Sequence, residues 1–416
     1  MTMPVSCEPG RGKTTVTRVR LVLVTAFPVD PGAPRGGVEG VSVVLCGALR
    51  DRRDLDLHIV TTGGVDAVQV DDWGAARIHR LPWTAPRLLS GVLGRDARRL
   101  REYVSGLRPD VVHAHDTYGI MMEPIGTPRV LTIHGFIHAD TRVSGTSLAR
   151  PRALLWKRIE TRAWARYPHI ISISPYVRER LTGIATGAVH NIDNPIADAF
   201  FDVRRTDGAA QVFCAATISP RKNTLAVVDG FARARAQGLR ATLRLAGPQP
   251  VPAYAEAVRA RIRQHGLDDA VVLLGQLSTD AVLSELAGAS VSVLMSVEEN
   301  APLAVQEAMA AGVPVIASSR CGMPYQIDDG ESGFLVEPDR PDDLAARLLQ
   351  VIGDDGLRDR LARRARDVAR ERFHSERVAT RTIGVYQRAC GIPPPPARRS
   401  PSAPRAAATT GGRLPD

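Results

Sequence analysis

Two carboxylates, Glu299 and Glu307, with seven residues between them, lie in the stretch SVEENAPLAVQEAMAAGVPVIASS from Ser296 to Ser319. At ~1.5 Å of rise per helical residue, plus a turn, their predicted separation is on the order of 10 Å. That is wider than the roughly 5–9.5 Å of paired glycosidase carboxylates. The spacing suits a ligand with two hydroxyl-bearing rings joined by a diphosphate, one carboxylate for each ring and the diphosphate over the free N–H groups of a helix start. A charged hydrogen bond contributes ~1.5–3 kcal/mol, so such a pair can hold a nucleotide-sugar at both ends.

The same stretch predicts the scaffold that positions the two acids: strand end, turn, short helix, tight stop, strand. Asn300 is expected as the N-cap, its side chain taking an orphan amide of the first turn. Pro302 fits that first turn, Ala304, Ala308 and Ala311 keep the helix thin, Gly312 supplies a left-handed stop, and Val313–Ala317 reads as a buried strand. With Pro302, EAMAAG and VPVIAS around the two acids, the segment resembles the E-x7-E region of the retaining family-4 glycosyltransferases. The resemblance extends over about residues 18–390 and is strongest in the C-terminal half. It implies an α/β GT-B fold, two doubly wound Rossmann-like domains facing a central cleft. It also implies transfer of a hexosyl unit from a nucleoside diphosphate sugar, a co-substrate rather than a cofactor, to an acceptor hydroxyl with retention.

The periodicity along the chain is that of alternating strands and helices, which calls for parallel sheets covered on both faces. Residues 18–193 are read as an N-terminal, acceptor-binding Rossmann-like domain and 209–373 as a donor-binding one, with a hinge near 193–209. Strands are expected at Val19–Phe27, Leu57–Val60, Val111–His113, Val130–Ile133, Ile170–Ile173 and Val189–Ile192, then at Val212–Ala216, Ala241–Ala246, Val271–Leu274, Val291–Met295, Val313–Ala317 and Phe334–Val336. Helices are expected near 95–107, 150–166 and 175–182, and in the second half near 223–237, 252–265, 279–287, 302–311, 341–352 and 356–371. By the resemblance, a last helix at 374–390 crosses back onto the first domain. Residues 1–17 and the Pro-rich 391–416, beginning GIPPPPARRSPSAPR, are expected to be disordered.

Other site residues come from the loops after strands, where open α/β sheets bind ligands. Family-4 enzymes carry an arginine and a lysine in the loop matching Ala216–Asn223, gripping the donor diphosphate. Lys222 matches the lysine, but Thr217 stands at the arginine's place, and the adjacent Arg221 is the candidate replacement. Gly36 and Gly37 match the family's glycine-rich loop, where backbone N–H groups approach the donor. His134, ending VLTIH, matches a histidine near the donor sugar and the acceptor hydroxyl. Asn300, Ala301, Pro302 and Leu303 open the donor-binding helix, and Gly247 in LRLAGPQ, Ser174 and Asn194–Pro195 complete the matches. Tyr325, after Gly322-Met-Pro, replaces the family's usual acidic residue. The catalytic set is therefore Lys222, Arg221, His134 and Glu299, and the donor-binding set Gly36, Gly37, Gly247, Asn300, Ala301, Pro302, Leu303 and Glu307.

The bulk properties are those of an ordinary globular protein. The 416 residues carry a net charge of +10, and Lys13, Lys157 and Lys222 are the only lysines among 54 basic residues. That balance permits peripheral contact with an anionic membrane; the basic segments Arg142–Arg166 and Arg95–Arg108 fit either such a contact or an ordinary solvated face, and no nucleic-acid partner is expected. Five dispersed cysteines without C-x-x-C spacing point to reduced thiols and a cytoplasmic chain, and no apolar run reaches the ~18 residues of a spanning helix. Three motifs are decoys on this reading. Gly10-Arg-Gly-Lys13-Thr-Thr lacks the first glycine and the strand of a phosphate loop. Asp54-Leu-Asp56 falls in a charged turn, and His113-Ala-His115-Asp116 has no further ligand cluster to complete a zinc site, so no metal is expected. Two rival functions stand beside this one: a nucleotide-sugar epimerase of the same architecture, and, from another class, a non-catalytic sugar-nucleotide-binding protein, motivated by Thr217.

Overall fold

The computed structural model describes residues 18–143 and 148–392. The calls for residues 1–17, including the decoy at Gly10–Thr15 and Cys7, and for the tail from 393 onward lie outside those residues.

Two sheets organise the chain. The first contains β1 (Val19–Val24), β2 (Leu55–Thr62), β3 (Gln69–Trp73), β4 (Ala76–Leu81), β5 (Val111–His115), β6 (Arg129–Ile133), β7 (His169–Ser172) and β8 (Ala188–Asn191). Their spatial order is β3-β4-β2-β1-β5-β6-β7-β8, all parallel except β3. The second holds β9 (Gln211–Ala215), β10 (Thr242–Ala246), β11 (Val271–Gly275), β12 (Val291–Leu294), β13 (Val315–Ser318) and β14 (Gly333–Val336), in the order β11-β10-β9-β12-β13-β14 and parallel throughout. The central strands are almost uninterrupted apolar runs because helices cover both faces: Leu21, Val22, Leu23 and Val24 are each fully buried. This is the GT-B architecture.

Each sheet reverses its strand order once, and the reversals locate the cleft. In the first sheet β2 and β5 lie on opposite sides of β1; in the second, β10 and β12 flank β9. Helices leaving on opposite faces open a crevice beyond the carboxyl ends of those strands. The loops there are 25–36 after β1, 216–223 after β9 and 295–302 after β12.

The helix Ser375–Ala389 lies on the first sheet. Its Val378, Ala379, Ile383, Val385 and Tyr386 join the cluster around Leu21, Leu23 and Leu57, and the Tyr386 hydroxyl bonds His113 Nδ1 at 2.8 Å. The preceding Arg372 holds Asp193 at 2.7 Å and the Tyr325 carbonyl at 2.8 Å, tying the end of the second half to the crossing between the sheets.

Several elements went unread in the sequence. β3, QVDDW, is a polar antiparallel edge strand whose first four residues are exposed, so it pairs through backbone alone and leaves no apolar alternation. β4, ARIHRL, hides its pattern by burying His79 and Arg80. The short helices Leu88–Leu93, Thr117–Met121, Ile137–Val143 and Asp198–Phe201 span too few turns for a periodic stripe. Among the described residues no helix is long and apolar enough to cross a membrane, and Cys46, Cys214, Cys321 and Cys390 are free thiols.

Candidate active site

The loop after β9 is built to aim its basic pair. Ser219 is extended and its hydroxyl accepts the Lys222 N–H, capping a single 3-10 turn over Pro220–Lys222. Asn223 then takes a left-handed conformation (φ 52°), which asparagine tolerates, and its side chain donates to the Pro338 carbonyl at 2.9 Å. The turn delivers Lys222 and Arg221 to one carboxylate. Lys222 Nζ lies 2.5 Å and Arg221 Nη1 3.0 Å from Glu299 Oε1. Arg221 also bonds the Glu298 carbonyl, and its own carbonyl accepts the Val297 N–H at 2.9 Å, so the loops after β9 and β12 are laced together.

Past Glu299 the chain turns into the helix Leu303–Ala310, and here one expectation is corrected. Asn300 is not the N-cap; Pro302 holds that position, without a side-chain cap. The Asn300 amide instead donates across the cleft to the His134 carbonyl at 2.8 Å, and its own carbonyl accepts from the Ser174 hydroxyl at 2.8 Å. Among the described residues no side chain caps the first turn of this helix, and free first-turn N–H groups suit an anion. A side chain at Gly322 would collide with the Asn300 carbonyl, so only glycine lets the 320–325 turn back this loop.

Glu299, Lys222, Arg221, Thr217, Asn300, Ala301, Pro302 and Leu303 line one side of a cavity of about 420 Å³; Gly37, His134 and Asp140 line the other. Against it, sharing Val41 and Leu303, lies a second cavity of about 770 Å³ that includes Glu307, Gly40, Gln276 and Leu277. The two acids thus face adjoining chambers of one cleft. Burial pushes the Glu307 carboxyl up to about 7.

His134 is held by its neighbours rather than by its own strand alone. The half-buried Asp116 accepts the His134 N–H at 2.7 Å and the Gly135 N–H at 3.3 Å. The His134 ring meets His115 at 3.3 Å, and His115 Nδ1 lies 2.9 Å from the Thr25 hydroxyl. Desolvation lowers the His134 pKa against the opposing pull of Asp116 and favours the neutral imidazole.

Comparison with known proteins follows the same division of the chain. The Glycosyltransferase Family 4 model matches residues 35–199 and the Glycosyl transferases group 1 model residues 196–368. The chain belongs to the GT-B, family-4-like glycosyltransferases. It is 27% identical over 185 residues to the putative colanic acid biosynthesis glycosyltransferase WcaL of Salmonella typhimurium, covering 42% of this chain and 45% of that one. It is 26% identical over 307 residues to the D-inositol 3-phosphate glycosyltransferase of Acidothermus cellulolyticus, covering 67% of each. The chain therefore spans less than half the length of the first relative and about two thirds of the second. HepE of Anabaena, solved with UDP and glucose, superposes with a TM-score of 0.70 at 16% identity, over 89% of this chain and 100% of that one.

Not every matched position in this glycosyltransferase reaches the cleft. Gly36 precedes the helix Gly37–Arg50 in extended backbone and lines neither chamber, whereas Gly37 does. Gly247 also lines neither. Its φ of +149° and the Ala216 carbonyl packed against its Cα demand glycine, so it seats the 216–223 loop from behind. The replaced acid at Tyr325 spans the halves: its hydroxyl donates to Glu179 at 2.7 Å.

Two residues beside the site were not assigned to it from the sequence. Asp140, on the helix Ile137–Val143, faces the first chamber beside Arg221, with its pKa raised by burial. Asp116 sets the His134 turn; in the sequence it reads only as the end of the His113-Ala-His115-Asp116 decoy. The decoys resolve structurally. Asp56 pairs with Arg20 and Asp54 with Arg52, and His113 bonds Tyr386 and Thr132. Among the described residues no group of histidines, cysteines and acids is disposed to hold a metal ion.

Proposed function

We propose that this glycosyltransferase moves a hexosyl unit from a nucleoside diphosphate sugar to an acceptor hydroxyl with retention at the anomeric carbon. The observation that carries the reading is the convergence of Lys222 and Arg221 on Glu299 beside an uncapped helix N-terminus, with Glu307 in the adjoining chamber. The donor diphosphate lies over the Leu303–Ala310 N-terminus, Glu299 takes hydroxyls of the sugar and Glu307 those of the ribose. The relative solved with UDP and glucose makes a sugar nucleotide the natural donor class.

On this reading the reaction is a front-face displacement in which the departing diphosphate accepts the acceptor's proton as the new glycosidic bond forms. The protein's contribution is electrostatic, cancelling charge that grows on the leaving group. Lys222, Arg221 and the helix N–H groups share that task, with Arg221 standing in for the arginine absent at Thr217. No metal ion is needed for it. Neutral His134 sits where it can donate to the sugar or the acceptor, and closure of the cleft keeps out the water that would hydrolyse the donor.

The test is incubation with UDP-, GDP- and ADP-sugars and a panel of acceptors, following released nucleoside diphosphate and the anomeric configuration of the product. Acceptor-dependent release with an unchanged anomer is expected, undiminished by EDTA. Donor binding without turnover, epimerised donor, or an inverted product would each overturn the proposal.

A further inference from the structure

A third cavity, of about 740 Å³, adjoins the first chamber and shares Ala139 and Glu298 with it. Its basic residues come from three helices. Arg142 projects from the last turn of Ile137–Val143, Arg150 and Lys157 from one face of Ala149–Trp164, and Arg180 from the last turn of Pro175–Leu181. Arg150 and Lys157 are seven residues apart, two helical turns, so both face the same space.

The charge balance of this cavity is one-sided. Four permanent cations meet a single carboxylate, Glu298, which lies 3.7 Å from Arg180. Among the described residues Arg142, Arg150 and Lys157 have no ion-pair partner. Arginines placed beside carboxylates in this chain do pair, as at Arg244–Glu285, Arg20–Asp56 and Arg372–Asp193; what sets this cavity apart is that its cations converge on one concave space with one carboxylate among them. A concave site lined by unpaired charges of one sign concentrates the opposite charge, and guanidinium groups match the oxygens of a phosphate in pairs.

We propose that this cavity binds a phosphate group carried by the acceptor, so that the acceptor enters with its anionic end between Arg142, Arg150, Lys157 and Arg180 and its hydroxyl in the adjoining chamber. The assignment of the phosphate to an acceptor rests on the glycosyl-transfer reading; the phosphate site itself rests on the cavity alone. Such an acceptor is a phosphorylated small molecule or the phosphate headgroup of a lipid, two sources of one chemistry.

The experiment presents the same phosphomonoester in both forms to the full chain. Glycerol 3-phosphate is titrated by calorimetry, and phosphatidic acid is offered in phosphatidylcholine vesicles in a sedimentation assay, with glycerol and pure phosphatidylcholine vesicles as neutral controls. The wild-type chain is expected to bind at least one phosphate form and neither control. Binding of the free ester assigns the site to soluble acceptors, and binding of the vesicles alone assigns it to a lipid. The double variant Arg150→Ser, Lys157→Ser is expected to lose about tenfold or more in that affinity, with unchanged Tm and unchanged affinity for UDP. Binding of neither form, equal binding of the neutral controls, or a variant that binds like the wild type would overturn the proposal. Failure of every sugar nucleotide to turn over would instead overturn the glycosyl-transfer reading and leave the phosphate result standing.

Discussion

Glu307→Gln separates the structural cost of a residue from its use. Burial raises the Glu307 carboxyl from its ordinary 4.5 to about 7. The folded chain therefore holds this proton up to about pH 7, whereas the unfolded chain releases it near 4.5. Between those values the unfolded state binds fewer protons, so stability falls as pH rises and stays at its lowest above 7. The gap of about 2.5 in pKa, at about 1.36 kcal/mol each, amounts to at most roughly 3.4 kcal/mol. The glutamine variant carries no such penalty. It should be more stable than the wild type at pH 8, by up to that amount, and no more stable at pH 4.5, as read by urea denaturation at the two pH values. The same argument works in reverse for the donor. Ribose hydroxyls bonding the carboxylate favour its ionised form, so wild-type affinity for a sugar nucleotide should rise as pH increases from 5.5 to 8. The variant should bind more weakly and with a flat pH profile. A variant whose stability tracks the wild type at both pH values would refute the buried-carboxyl argument, and unchanged donor affinity would refute the ribose assignment.

Lys222→Ala should lower kcat by about 10²–10³ with little change in Tm, because Glu299 keeps its bond to Arg221; near-normal turnover would remove the leaving-group role. Gly322→Ala should push the Asn300 carbonyl off Ser174 and weaken donor binding, measured as a raised KM for the sugar nucleotide. Gly247→Ala, forced to φ +149° against the Ala216 carbonyl, should cost at least the ~1–3 kcal/mol of a strained backbone position, visible as a drop in Tm.

Much of the fold and part of the site were legible before any coordinates. The long buried strands announced themselves as apolar runs such as VRLVLV and VSVL, because a parallel sheet covered on both faces needs no polar alternation. Strand β3 gave no such signal, since an exposed edge pairs through backbone atoms whatever its side chains. Lys222 and Glu299 were legible by motif, and the structure adds that they meet at 2.5 Å. Thr217 left open whether another cation serves the cavity; the 3-10 turn over Pro220–Lys222 is what brings Arg221 to Glu299.

What the sequence alone determined is therefore local: where the long apolar strands and the longer helices run, and which side chains carry charge at strand ends. Tertiary structure decided what those charges face. Asn300 had every local qualification for a helix cap, yet its amide crosses to the His134 carbonyl, 166 positions away in the chain. Asp116, His115 and Arg150 likewise acquire their roles from neighbours supplied by other strands and helices. Local propensity is set by a residue's own backbone and those beside it, whereas a hydrogen-bond partner or an unpaired charge in a cavity exists only once distant segments have packed.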